Sequence, residues 1–440
     1  MTVSNYRKQI LSNDYVDWII DFPFTEVPLT LANADYDYCY TPIDDDIGMI
    51  SADRSQVSDI SLLSNDFKYL PELYGLQDIR ELEEQQRRDP LNLTGKGVII
   101  GIADTGIDYT DPVFRNPDGT TRIISIWDQT IQDGEAPELF NYGSVYTREQ
   151  INEALSSDNP KSIVPTRDDN GHGTRMASVA VGRKLGEGTT LTSPPYDCEF
   201  VIVKMKQCKN YLREYFLIAD DVPAYQSSDI MMAVRYIDSF ARPFLTPVVF
   251  CMGIESGFGD HIGNALLARY FGEVAFKRSR VMLLPGRNEE NAAHHFSGLL
   301  TVKNGEGEIS NSSKDMEIKV GENEKGFILQ IWSSAPTSLA ISICSPCGGT
   351  VPRTTISFQP NLQYGFVYAK KIITLDYTLI ETGSGDKFIL MRFQNPSAGI
   401  WTVTVTSDAT AQNTSFNAGL LISQFLSSTT YFLEPDMVLH

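Results

Sequence analysis

The sequence predicts an α/β domain built on a parallel sheet covered by helices on both faces, with an acidic module before it and an antiparallel β-sandwich after it. Three observations predict this. Apolar runs in the middle of the chain are continuous rather than alternating, and helical stretches separate them. The helical signal stops near residue 300, where short strand-like runs separated by Gly, Pro, Asn and Ser begin. Acidic charge is concentrated ahead of residue 90.

Residues 1–90 carry 18 acidic and 7 basic side chains, a net of −11 out of −20 for the whole chain. Tracts such as Asp44-Asp45-Asp46 and Glu81, Glu83, Glu84 read either as solvated surface or as a separate module whose charge complements something beside it. Residues 91–300 form the α/β part. Its buried strands are expected at Val98–Ala103, Phe200–Val203, Val248–Met252 and Val281–Leu284, with helices at His172–Val181, Asp229–Phe240 and Ala265–Phe276. Alternating strands and helices of this kind build a doubly covered parallel sheet, whose sites lie beyond the C-terminal ends of its strands. Residues 301–433 read as the sandwich, with strands at Gly326–Trp332, Leu339–Cys344, Ile372–Ile380, Lys387–Phe393, Ile400–Thr406 and Ala418–Phe425. Residues 434–440 read as a truncated return towards the α/β domain.

With 440 residues, 42% hydrophobic and 21% charged, the chain is long enough for two or three domains of ~100–200 residues each and globular in composition. The acidic balance argues against a nucleic-acid partner, since phosphates call for a Lys/Arg surface, and against docking on an anionic membrane. No apolar run reaches a membrane span, and the N-terminus lacks an uninterrupted signal-peptide core, so an intracellular, cytoplasmic location is expected. Six cysteines do not make a disulfide scaffold.

Two segments carry chemistry. Asp104-Thr105-Gly106-Ile107-Asp108 ends the first buried strand and places a carboxylate at its lip. Asn170-Gly171-His172-Gly173-Thr174 opens a small-residue helix, with a histidine whose pKa lies near neutrality. An Asp that orients a His base is half of a nucleophilic triad. In this order and on this fold the two motifs resemble those of the subtilisin-like serine proteases, the subtilases. Asp108–Asn116, Ile126–Thr130, Tyr146–Ile151, Asn288-Glu289 and Asn291–Gly298 resemble more narrowly the clostridial Csp-type subtilases, a group that includes germination proteases, and the resemblance spans roughly residues 10 to 436.

That resemblance implies a subtilisin-like domain in which Asp104 orients His172, His172 is the general base and Asn288 donates to the oxyanion, a contact typically worth ~3 kcal/mol. It implies that Gly253 and Gly257 flank the substrate backbone. It makes residues 1–90 a propeptide-like α+β module, with Tyr69–Leu76 lying along the cleft as a product-like inhibitor or serving as a linker. The sandwich becomes a jelly-roll insert between the oxyanion Asn and the Ser. The implied partners are a polypeptide substrate or the chain's own propeptide segment. Subtilases often hold structural calcium and Asp168-Asp169-Asn170 is a candidate source of ligands, but no spacing assigns a metal, and no other cofactor is expected.

The family's Gly-Thr-Ser segment is absent from these residues. Arg287, Glu290, Ile254-Glu255, and Arg175 with Met176 also depart from its pattern. The expectation is therefore a serine endopeptidase whose nucleophile lies outside this chain, contributed either by a second chain or by a continuation beyond residue 440. Its sheet is then incomplete at the C-terminal end and leaves apolar surface exposed. The alternative is a catalytically inactive pseudoprotease acting by binding, with a place in spore germination. Two weaker readings remain. Asp104-Thr105-Gly106 as an aspartic-protease motif lacks its second carboxylate. The sandwich as a ligand-binding module would need Trp332 or Trp401 outside the core, and Cys344–Cys347 is only half a metal site.

Overall fold

The computed structural model describes residues 9–21, 38–57, 68–78, 93–182, 196–241, 246–286, 289, 292–301, 303–305, 308–310, 313–334, 338–355, 362–366, 371–378, 381, 384–407 and 413–435. At its centre is a six-stranded sheet of β1 (Ile99–Asp104), β2 (Ile123–Asp128), β3 (Ser144–Thr147), β4 (Glu199–Lys204), β5 (Val248–Met252) and β6 (Arg280–Leu283), in the order β6-β5-β1-β4-β2-β3. Five strands are parallel. The sixth, β3, runs antiparallel to β2, so the sheet is mixed rather than wholly parallel as the apolar runs suggest. The connection 129–143 brings the chain back along the outer edge of β2, where β3 pairs antiparallel to it. The chain then enters α1 (Arg148–Leu155) through a reciprocal Thr147/Gln150 capping box.

Helices α2 (His172–Val181), α3 (Asn210–Phe216), α4 (Ser227–Ser239) and α5 (Leu266–Phe276) complete the body. Ala177 and Val181 of α2 share a core with Ile100 and Ile102 of β1 on one sheet face. On the other face, Met231, Val234 and Ile237 of α4 and Leu267, Tyr270 and Val274 of α5 pack with Ile99, Val248 and Phe250. Cover on the α2 face thins towards the β6 edge. The register sets Ile100, Val249 and Val281 side by side, and likewise Ile102, Cys251 and Leu283. These rows run from buried β1, through half-buried β5, to Val281 at 48% and Leu283 at 51% exposure. Leu284 just beyond is 52% exposed.

An N-terminal antiparallel sheet orders Tyr38–Pro42, Ile47–Asp53, Tyr15–Asp21 and Lys68–Tyr69 side by side. Its acidic residues meet cations of the body. Asp17 is fully buried and accepts from Lys209 Nζ (2.7 Å), Ser51 Oγ (2.5 Å) and Gln226 Nε2 (3.1 Å). Asp21 pairs with Arg269 at 2.8 Å, and Asp44 with Lys277 at 3.2 Å and Arg235 at 3.6 Å. The acidic tract Glu81, Glu83, Glu84 lies outside the described residues.

Two further antiparallel sheets share one hydrophobic core. The first orders His295–Leu300, Thr414–Leu420, Gly326–Ser333, Lys387–Gln394, Lys371–Thr378 and Leu362–Phe366. The second orders Thr350–Thr354, Leu339–Cys344, Gly399–Ser407, Ser313–Val320 and Tyr431–Phe432. The first strand thus begins before residue 301. The apolar run at Ala418–Phe425 divides into the end of one strand and a 3-10 turn at Ser423–Phe425. Trp401 is fully buried there and donates Nε1–H to Ser397 O (2.9 Å), and Trp332 is 9% exposed, so both are core side chains. Cys344 and Cys347 are exposed free thiols. Another core unites Val16, Leu70 and Leu73 with Tyr211 and Phe258 of the body and with Trp332 and Phe388 of the sandwich. Among the described residues, no helix is long and apolar enough to cross a membrane.

Candidate active site

Asp104 is the last residue of β1, fully buried between β4 and β5. The sharp turn after it aims the Thr105 amide back at Asp104 Oδ1, 2.7 Å away. The same oxygen accepts from His172 Nδ1 at 2.7 Å. His172 reaches it because α2 starts hard against the strand end. A Cβ on Gly173 would lie 2.2 Å from the Gly106 carbonyl oxygen, so only glycine allows this approach. Asp168 fastens the junction. Its carboxylate accepts from Thr105 Oγ1 (2.7 Å), Gly171 N (2.9 Å), Thr174 N (2.8 Å) and Thr174 Oγ1 (2.7 Å). Burial alone would raise the Asp168 pKa, but these donors bring it below the ordinary carboxylate value. From the sequence, Asp168 is only a candidate source of calcium ligands, with no metal assigned. The structure spends its oxygens on the helix N-terminus, where a carboxylate is favoured by both capping and the helix dipole.

The second nitrogen of His172 does not meet a hydroxyl. Nε2 lies 2.8 Å from the carbonyl oxygen of Gln77. Leu73–Leu76 forms the middle strand of a small sheet, antiparallel to Tyr225–Gln226 on one side and to Ile254–Glu255 on the other. Gln77 N donates to Gly253 O (3.0 Å), and Ser256 Oγ donates to Leu73 O (3.1 Å). Residues 73–77 therefore lie extended in the groove leading to the Asp–His pair. Sequence reasoning ended this segment at Leu76 and missed Gln77, whose role depends on a contact 95 positions away.

Both ring nitrogens of His172 face oxygens that can only accept, a carboxylate and a carbonyl. Making both bonds requires two N–H groups, hence the imidazolium. Burial by itself would lower the His172 pKa, but the hydrogen bond and charge of Asp104 and the Gln77 carbonyl carry it above the ordinary histidine value.

Gly253 belongs to this site. A Cβ there would come within 3.0 Å of both Asp104 Oδ2 and His172 Cε1. Gly257 faces elsewhere: its carbonyl accepts from Gln330 Nε2 of the sandwich (2.9 Å), and a Cβ would meet Leu420 O at 2.8 Å. Asn288 lies outside the described residues, as do Arg287 and Glu290. Gly286, two positions earlier, is at the cleft, where its carbonyl accepts from Gln77 Nε2 (3.3 Å). Among the described residues, no serine hydroxyl hydrogen-bonds to His172.

A charge-stabilised histidine at the C-terminal edge of a buried parallel sheet, facing an extended peptide backbone, is equipped to move a proton during acyl transfer. Residues 95–215, which hold both Asp104 and His172, match the profile of the Subtilase family. Among solved structures it is similar to the CspB protease of Clostridium perfringens, with a TM-score of 0.65 and 25% identity over 79% of this chain and 67% of that one. The profile match and the structural likeness together support a resemblance to the Csp-type subtilases. No curated protein matches its sequence significantly.

Proposed function

We propose that the chain is the acid–base part of a subtilisin-like serine endopeptidase, with its nucleophile supplied from outside these 440 residues, and that residues 1–90 act as its propeptide. One observation carries the reading: an Asp104–His172 pair whose outer nitrogen meets the carbonyl of an extended segment bound as the middle strand of the cleft. In the reaction, His172 would take the proton of the attacking hydroxyl and pass it to the leaving amine. Asp104 would hold the ring and stabilise its charge. Asn288, two residues beyond Gly286, would donate to the oxyanion. Gln77 then stands as the residue on the acyl side of the scissile bond, and Leu73–Gln77 as a product left in place. The exposed Val281 and Leu283, on the same sheet face as the helix that carries His172, offer an apolar seat for a nucleophile-bearing helix. On this reading the sandwich is the jelly-roll insert.

A second reading is favoured by the Gln77 contact itself. A cleft filled by the chain's own backbone, with the histidine bonded to it, also suits a pseudoprotease that acts by binding, including in spore germination. A fluorophosphonate probe with intact-mass detection separates the two. The first reading expects no adduct on the 49.1 kDa chain and an adduct on a longer form or second chain carrying a Gly-Thr-Ser segment. An adduct on one of these 440 residues overturns it, and no adduct in any form leaves the binding role.

A further inference from the structure

The cleft segment has a third contact, from the sandwich. Leu76 N donates to Gln424 Oε1 (3.3 Å), and Gln424 Nε2 donates to Leu76 O. One side-chain amide thus answers both backbone groups of a single residue, as a neighbouring strand would. It stands where the Tyr225–Gln226 strand gives out. Extending the register of Tyr225↔Tyr74 and Gln226↔Leu73 puts Pro223 opposite Leu76, and proline has no N–H to donate.

Gln424 is held in place from behind. It sits in the Ser423–Phe425 turn, whose Ser423 donates to Glu289 through N (3.1 Å) and Oγ (2.9 Å). Glu289 in turn lies 2.8 Å from His294 Nδ1. The turn also closes over Gly75, where a Cβ would lie 2.6 Å from Ile422 Cδ1 and 2.8 Å from Gln424 Oε1. Ile422 is fully buried, and the Gln424 amide is committed to Leu76, so neither can withdraw without losing those contacts.

We propose that Gln424 is a substrate-positioning residue of the cleft, clamping the backbone of the residue before the one at His172, and that with Ile422 it restricts the preceding position to glycine. The peptides this cleft takes are extended segments of the Gly-Leu-Gln kind. The inference rests on reading Leu73–Gln77 as an occupant of the substrate cleft.

Residue-resolved amide hydrogen exchange on the full chain tests it, comparing wild type with Q424A, Q424E and G75A. In Q424A the Leu76 amide is expected to exchange roughly tenfold faster, the loss of about one hydrogen bond's net stability. The Gln77 amide, bonded to Gly253 O, should stay protected, and so should the core strand Gly326–Ser333. Q424E keeps an acceptor for Leu76 N but loses the donor to Leu76 O, and should fall between the two. G75A should also speed exchange at Leu76. Unchanged Leu76 exchange in Q424A overturns the clamp, and unchanged exchange in G75A overturns the glycine restriction. If residues 73–77 exchange as a free peptide in the wild type, the cleft reading itself fails. Should Q424A expose the sandwich as a whole, Q424E alone decides.

Discussion

The body of this protein presents two surfaces to its surroundings, and they are built in opposite ways. On the side of the N-terminal sheet, contact is closed and charged: Asp17 is buried against Lys209, while Asp21 and Asp44 meet Arg269, Lys277 and Arg235. At the β6 edge the surface is open and apolar, with Val281, Leu283 and Leu284 half exposed. The closed side joins the edge of the cleft to the Asp–His pair through Leu73–Gln77. The open side lies two strands from β1, on the sheet face that the histidine-bearing helix covers. The difference teaches that the cleft around the Asp–His pair is closed and filled, whereas the sheet edge leaves large apolar side chains uncovered.

Breaking the closed side should have the largest effect. Replacing Lys209 with Ala strands Asp17 without its ion pair, and the loss of one partner of a buried pair typically costs ~3–5 kcal/mol. Chemical denaturation of K209A should show this as a lowered midpoint, and a D17A/K209A pair should recover part of it. Next comes His172→Ala, which removes two charge-assisted contacts, one of them to the cleft segment. A loss of ~1.5–3 kcal/mol in unfolding free energy is expected, with faster amide exchange over Leu73–Gln77.

A pH series sharpens the comparison further. Burial, with Glu381 and Asp260 nearby, pushes the Glu72 carboxyl up to about 7 despite the hydrogen bond from Tyr74, and His172 is also raised. Both groups bind their proton more tightly in the folded chain. Their contribution is therefore complete at acid pH, below the unfolded values, and is lost as pH rises through about 7 for Glu72 and through the raised value for His172. The thermal midpoint should fall across this range more steeply in the wild type than in E72Q. The smallest effect belongs to the open side. V281S/L283S should change stability by no more than about 0.5 kcal/mol per site, while lowering the fluorescence of a hydrophobic dye.

Much of the α/β body was legible because continuous apolar runs admit few other interpretations: Val248–Met252 matches its strand residue for residue. Strand β2 and helix α1 were less visible. Ile123–Asp128 carries a serine and an aspartate in its short run, and the capping signal of Thr147 with Gln150 is hidden inside the family-like stretch Tyr146–Ile151. The alternation of Met316, Ile318 and Val320 also marked a sandwich strand that went unread. At the site, Asp104 and His172 stood out through local motifs. Gln77 and Gln424 did not, because nothing near them in sequence signals a role: Gln424 meets Leu76 across 348 positions. Such contacts are set by the placement of whole domains, which periodicity and turn chemistry do not encode.

The doubly bonded imidazole of His172 has one more consequence. A base already holding its proton cannot accept another. Gln77 therefore does more than fill space: by giving Nε2–H an acceptor, it favours the conjugate-acid form of the ring, in which the Nε2 lone pair is absent. Departure of the segment would vacate the groove and restore the basicity of the ring in a single event.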